Sequence, residues 1–284
     1  MNPQIMPIFS HFQTRPLLAS NLPETIPLST NLGISTIQAR QGAEGWRLPD
    51  GEVLTHPQIE KISQEENSCF ILKNGEITKV EAFSQATNRY YSLMPTEEAP
   101  TMLISGIPMH RIKGTTPIRD TRQKIKALGK PYGNVLDTTM GLGYTAIMAA
   151  KTARSVITIE FDPAVLAICQ SNPWSAGLFT HPAISRLIGD SYDLVEVFPD
   201  ETFNAILHDP PTFNLAGQLY SQDLYDSFFR ILKPNGRLFH YIGNPDSRTG
   251  ASVGRGVVQR LKRAGFSVAS KDRAFGVLAQ KSTH

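Results

Sequence analysis

The chain has 284 residues, 40% of them hydrophobic, and a formal charge of +3, which is enough length to bury one large core or two smaller ones without covalent staples. Its two cysteines, Cys69 and Cys169, lie far apart with no Cys-x-x-Cys spacing, so neither a disulfide framework nor a zinc knuckle is suggested and reduced, buried thiols are expected. No apolar run reaches the roughly eighteen residues of a membrane span, and Met1-Asn2-Pro3-Gln4 lacks a basic segment followed by an apolar one, so a cytoplasmic protein with no membrane partner is expected.

Residues 1–30 hold Pro3, Pro7, Pro16, Pro23 and Pro27 with little periodicity, and predict an irregular surface arm anchored by Ile8, Phe9, Phe12, Leu17 and Leu18. Residues 31–100 predict a small β-rich domain. Ile34-Ser35-Thr36-Ile37-Gln38 alternates, Pro49-Asp50-Gly51 marks a turn, and Asn74-Gly75 between the apolar runs 69–72 and 77–80 predicts a hairpin. This region holds no repeat and no catalytic constellation, and its expected role is to shape a substrate cleft. The prolines and acids of 90–100 mark a boundary, and a second domain is expected over 101–284.

That domain opens with a strand expected at 102–107 and a basic loop holding His110, Arg111 and Lys113. His110 reads as a hydrogen-bonded loop residue, because no partner carboxylate is identifiable. Thr116 as N-cap and Pro117 at the first helical position start a helix, Ile118, Ile125 and Leu128 mark its apolar face, and Gly129 and Pro131 stop it. Between 111 and 130 the cations Arg111, Lys113, Arg119, Arg122, Lys124, Lys126 and Lys130 face one acid, Asp120. A second basic cluster comprises Arg248, Arg255, Arg260, Lys262, Arg263, Lys271 and Arg273. Both fit either a solvated helix face or a polyanionic partner.

Next comes Val135-Leu136-Asp137-Thr138-Thr139-Met140-Gly141-Leu142-Gly143-Tyr144-Thr145-Ala146, which reads as a strand, a glycine turn and a helix over 144–151. Gly141 and Gly143 are expected to let a nucleotide-like ligand approach the backbone, and Ala146 to let the helix pack on the strand. Glu160 closes the following apolar run, where a carboxylate can accept hydrogen bonds from both ribose hydroxyls. Strands and helices then alternate: helix 163–170, strand 183–188, helix 192–198, strand 203–208, helix 219–232, a Lys233-Pro234-Asn235-Gly236 turn, strand 237–242, helix 256–264, and strands 266–269 and 275–279. Such alternation requires a mostly parallel sheet covered on both faces, with ligands at the carboxyl ends of its strands. Asp137, Glu160, Asp190, Asp209 and Asn244 all fall at such ends.

Residues 116–281 resemble a class I S-adenosylmethionine-dependent methyltransferase domain. The resemblance rests on Asp137 ahead of Gly141-Leu142-Gly143, on Glu160 and Asp190 at the ends of the next two strands, and on Leu232-Lys233-Pro234-Asn235-Gly236, which is similar to the family's turn before its fifth strand. It implies an α/β, Rossmann-like fold with a seven-stranded, mostly parallel sheet, preceded here by the small β-rich domain. It also implies S-adenosyl-L-methionine bound by Asp137, Thr138, Gly141, Gly143, Tyr144, Glu160, Asp190 and Ser191. Asp209-Pro210-Pro211-Thr212-Phe213 resembles the stretch with which amine methyltransferases orient an exocyclic amine, Asp209 and the Pro210 carbonyl accepting its hydrogen bonds and Phe213 stacking on the base. Thr212 sets the aromatic one residue late, closer to the "DPPxF" of some large-subunit ribosomal RNA methyltransferases. The layout as a whole is similar to an uncharacterised methyltransferase-like group of archaea and cyanobacteria. Methyl transfer to an RNA base is therefore the expected function, with Arg111, Lys113 and Asn244 as substrate contacts. A small-molecule methyltransferase, a polyamine aminopropyltransferase of related fold and a non-catalytic nucleotide-binding module stand as alternatives.

Overall fold

The computed structural model describes residues 6–211, 216–244 and 247–282. The chain divides into two compact units, Met1–Ile118 with Ala164–Ala176, and Arg119–Pro163 with Gly177–His284.

The first unit contains three small antiparallel sheets. One joins Thr25–Leu28, Ile37–Gln41, Gly45–Arg47 and Val53–Thr55; a second joins Ile8–Phe9, Phe70–Lys73 and Glu76–Lys79; a third joins Glu81–Ser84, Arg89–Met94, Thr101–Ile104 and Ile107–Pro108. Asn74 and Gly75 both take positive φ, 53° and 76°, as the expected tight hairpin requires. The expected strand at 102–107 is itself a hairpin, because Ser105 and Gly106 take φ of 48° and 85° and turn the chain back. Thr101–Ile104 pairs with Arg89–Met94, so the first unit runs past residue 100 to Ile118.

The described part of the expected irregular arm is largely regular. Ile8 and Phe9 pair with Ile71 and Phe70, His11–Thr14 is a helical turn closed by a Ser10–Gln13 capping box, and Pro27 sits in an edge strand, where its missing N–H costs no ladder bond. A helix at His56–Gln64, absent from the sequence reading, buries Ile59 and Ile62 in a core with Phe9, Trp46, Leu54, Phe70 and Leu72.

The second unit is built on one sheet. From residue 117 onward the elements in chain order are α1 (Pro117–Leu128, whose first two residues fall in the first unit), β1 (Asn134–Asp137), α2 (Tyr144–Ala150), β2 (Ser155–Glu160), α3 (Pro163–Ser171, which from Ala164 belongs to the first unit), α4 (Gly177–Thr180), β3 (Ile184–Ile188), α5 (Ser191–Glu196), β4 (Phe203–His208), α6 (Gln222–Ile231), β5 (Leu232–Tyr241), α7 (Arg248–Arg263), β6 (Phe266–Lys271) and β7 (Gly276–Lys281). The seven strands lie in the order β3-β2-β1-β4-β5-β7-β6, with β7 antiparallel to both neighbours and the other pairs parallel. The direction of winding reverses between β1 and β4. At such a switch point two connections leave in opposite directions and open a crevice at the carboxyl ends of the strands.

Several boundaries differ from the expected ones; the helix expected at 256–264 starts at Arg248, where Ser247 caps it by accepting from the Gly250 amide. The Lys233–Gly236 turn is an irregularity within β5: Phe203 pairs with Leu232 and Ala205 already with Arg237, so the extra residues bulge out and Asn235 takes a φ of 62°. The helix expected at 219–232 is two pieces, a 3-10 turn at Gly217–Tyr220 and α6, separated by Ser221, whose Oγ accepts from the Leu224 amide at 3.2 Å. From α6, Tyr225, Phe228 and Ile231 pack into a core shared with Leu238, Val257, Leu261, Phe266 and Val277. Ser221→Ala removes the cap and is expected to lower unfolding free energy by about 1 kcal/mol, read as a lower midpoint in urea denaturation.

Candidate active site

Four strands of the parallel sheet deliver an acid to one edge: β1 ends at Asp137, β2 ends at Glu160, and Asp190 and Asp209 follow β3 and β4 closely. Asp137 is fully buried. Its Oδ2 accepts from the hydroxyls of Thr145 at 3.1 Å and Thr158 at 2.9 Å, while Oδ1 is buried with no partner in good hydrogen-bonding geometry. Burial pushes its pKa up to about 7 against the pull of the Thr158 and Thr145 hydroxyls, and the charge of nearby Asp209 adds to the rise.

The glycine turn follows, with Gly141 at φ 50° and Gly143 at φ 75°. Glu160 braces it, for Oε2 accepts from the Gly141 amide at 2.9 Å and Oε1 from the Asp162 amide at 3.1 Å. Its partly buried carboxyl is pushed up to about 7, burial outweighing the amides that favour its charge. At Gly143, for which a ligand contact was expected, a Cβ would stand 2.3 Å from Cδ1 of the buried Leu178, so the fold has no room for a side chain there. Tyr144, also assigned to the cofactor, is the first residue of α2 and only 3% exposed.

Thr138 and Ser191 are likewise engaged within the fold. The Ser191 hydroxyl donates to the Thr138 carbonyl, and the Thr138 amide donates to the Leu207 carbonyl at 3.0 Å. His208 lies 2.8 Å from the Leu219 carbonyl through Nε2, and a carbonyl only accepts, so Nε2 carries the proton. Burial lowers the His208 pKa to about 4, leaving the ring neutral with Nδ1 bare, and the Thr138 hydroxyl donates to it at 2.6 Å. His240 mirrors this arrangement. Its Nδ1 donates to the Tyr241 carbonyl at 2.7 Å, Nε2 accepts from Tyr225 at 2.8 Å, and burial holds its pKa well below the usual imidazole value. The two neutral rings meet edge to face at 4.5 Å.

Asp190 caps α5, its Oδ1 accepting from the Tyr192 amide at 2.8 Å. Asp209 is partly exposed. Lys124 of α1 reaches it, with Nζ 2.5 Å from Asp209 Oδ2, 2.8 Å from Asp120 Oδ2 and 4.6 Å above the Tyr241 ring. Pro210 is buried, and the Pro211 carbonyl accepts from the Tyr220 hydroxyl at 2.9 Å, which holds the strand-end stretch on the protein. Phe213 lies outside the described residues. Of the expected substrate contacts, Arg111 and Lys113 belong to the first unit, whereas Asn244 is in the second, its carbonyl accepting from Ser247 Oγ at 2.8 Å at the start of α7. His110 matches its expected loop role, with Nδ1 3.0 Å from Thr101 Oγ1.

Lys124 was legible only as one member of a basic run. Its signal was the lone acid of that run, Asp120, placed one helical turn before it. Phe161, 58% exposed directly after Glu160, also went unremarked as a possible face for a ring.

No protein-family model matches the chain. It is 44% identical over 238 residues to the uncharacterized protein MJ1233 of Methanocaldococcus jannaschii, a match spanning 83% of this chain and 81% of that protein. The chain belongs to the family of that protein. A second relative, polyamine aminopropyltransferase 2 of Streptomyces coelicolor, is 29% identical over 130 residues, covering 43% of this chain but 24% of its own length. Among solved structures, spermidine synthase in complex with the transition state analogue AdoDATO superposes with a TM-score of 0.57 at 15% identity, over 72% of this chain and 73% of that one. MNMC2 from Aquifex aeolicus gives 0.50 at 19% identity, over 68% and 71%. These likenesses show the fold, a Rossmann-like architecture of the class I methyltransferase and spermidine synthase type, with the β-rich sheets ahead of it. Among the described residues no helix is long and apolar enough to cross a membrane.

The buried acids and histidines oppose each other in acid. Between about pH 4 and 7, folded Asp137 keeps a proton that the unfolded chain has lost, so its contribution to stability falls as pH rises. His208 is neutral when folded and charged when unfolded between about pH 4 and 6.5, so its contribution rises with pH. Asp137→Asn removes the first contribution only. The stability of this variant, measured by urea denaturation without added cofactor, is expected to climb with pH more steeply than wild type by about 1 kcal/mol per pH unit between pH 4.5 and 6.

Proposed function

We propose that the protein is an S-adenosylmethionine-dependent methyltransferase whose acceptor is a nucleobase in RNA. The observation that carries this reading is the convergence of Asp137, Glu160, Asp190 and Asp209 at the carboxyl ends of four adjacent strands around the switch point. A nucleoside with an aminoacyl end suits these groups. Glu160 retains lone pairs for ribose hydroxyls beyond those given to the Gly141 and Asp162 amides. Gly141 takes the close backbone approach, Asp190 and the exposed Phe161 the base side. When bound, S-adenosylmethionine supplies a methyl group already activated on a sulfonium.

The protein's task is then to aim the acceptor. Among the described residues Asp209 Oδ1 accepts no hydrogen bond, and together with the Pro210 carbonyl it takes the N–H groups of the acceptor amine, turning the nitrogen lone pair toward the methyl carbon. Support for a polyanionic acceptor comes from exposed Arg119, Arg122 and Lys126 on one face of α1 and from exposed Arg255, Lys262 and Arg263 on α7, with Asn244 as a further contact.

A second reading, aminopropyl transfer to a polyamine from decarboxylated S-adenosylmethionine, is favoured by the Streptomyces relative and the spermidine synthase likeness. Calorimetry decides between the donors: S-adenosylmethionine is expected to bind, and tighter binding of its decarboxylated form would reverse the assignment. The acceptor is tested by transfer of labelled methyl to total RNA against a metabolite extract. RNA is expected to take the label, and Asp209→Ala to lower the rate at least about a hundredfold. Full transfer by that variant would remove Asp209 from the mechanism.

A further inference from the structure

The Lys124 side chain is 5% exposed and Asp120 is fully buried, so an ammonium and a carboxylate have both been taken out of water within α1. Burying a charge is costly unless it is paired, and Lys124 recovers the cost from two carboxylates and a ring: Asp120 on its own helix, Asp209 at the end of β4, and Tyr241 at the end of β5. Burial alone would lower its pKa, but the Asp209 and Asp120 charges more than reverse this and hold the lysine charged. The neighbouring rings add no counter-charge. His208 and His240 are neutral, and Tyr220 keeps its proton because burial raises its pKa.

Without Lys124, Asp120 and Asp209 would be a pair of acids facing one space, the arrangement that receives a cation. With it, that cation is supplied from within. We infer that Lys124 determines the class of acceptor: its ammonium fills the cation position beside Asp209, so the acceptor end admits an uncharged nitrogen, such as the amino group of a base, and rejects an aliphatic diamine. This rests on the reading of Asp209 as the acceptor-side acid and narrows it. Lys124 holds Oδ2 of Asp209 and leaves Oδ1 as the acceptor's partner. A diammonium ion reaching the same carboxylate would meet a like charge already seated on it, and the Asp120–Lys124–Asp209 cluster, two carboxylates and one ammonium, keeps only one net negative charge where the bare acid pair would offer two.

The test is binding of putrescine, followed by calorimetry on the full chain. Wild type and Lys124→Arg are expected to bind it weakly or not at all, and Lys124→Met at least about tenfold tighter than wild type, a gain that loss of a merely structural ion pair would not produce. Should Lys124→Met fail to fold, the Asp120→Asn/Lys124→Met pair removes one stranded carboxylate while keeping Asp209, and the same gain is expected. Adding Asp209→Asn must abolish that gain. Tight putrescine binding by wild type, or a folded Lys124→Met or double variant that binds it no better than wild type, overturns the inference. Failure of the Asp209 reading looks different: Asp209→Ala would then transfer methyl at the full rate whatever the diamine result.

Discussion

The buried carboxylate of Asp137 ties the second unit together. One oxygen collects hydroxyls from α2 and β2, so the helix after the glycine turn and the strand beside β1 are fixed to the residue that starts the turn. The turn then closes on Glu160, which ends that same neighbouring strand. Two strand-end acids thus hold the backbone around the place where a ligand would sit. Their raised proton affinities follow from the same fact, since both have been brought out of water to serve as joints.

Around Asp209 the support is of a different kind. His208 and His240 occupy opposed positions in the register of β4 and β5, and each is locked into one tautomer by a carbonyl. A neutral imidazole with one donor and one acceptor can link a hydroxyl to a carbonyl without introducing charge. Thr138 and Tyr225 are fixed in this way, and Tyr220 beside them holds the Pro211 carbonyl. The floor is polar and fully hydrogen-bonded while remaining uncharged, which leaves the local field to Asp209, Lys124 and Asp120.

Legibility followed the range of the interactions concerned. The strand-end acids could be read because a parallel strand buried on both faces is an apolar run, and its first polar residue marks the end. The hairpin at Asn74-Gly75 declared itself through residues that tolerate positive φ. Gly143 announces that space is needed without saying what fills it, and Leu178, which a Cβ there would meet, comes from a later element. Lys124 and Asp209 stand 85 residues apart, and nothing local distinguishes that lysine from its solvated neighbours. In the first unit, prolines suggested irregularity where an edge strand and a short 3-10 helix accommodate them, and the helix at His56–Gln64 had too few apolar positions to show its period.

The contact between Leu178 and Gly143 also bears on the thermodynamics of ligand capture. Because the leucine already occupies the space beside the turn, the left-handed conformations of Gly141 and Gly143 belong to the fold itself, and the entropy of ordering the turn is lost during folding. Helix α4, which carries Leu178, is thereby a mechanical backstop: a ligand that required a differently shaped turn would have to displace a side chain seated in the interior.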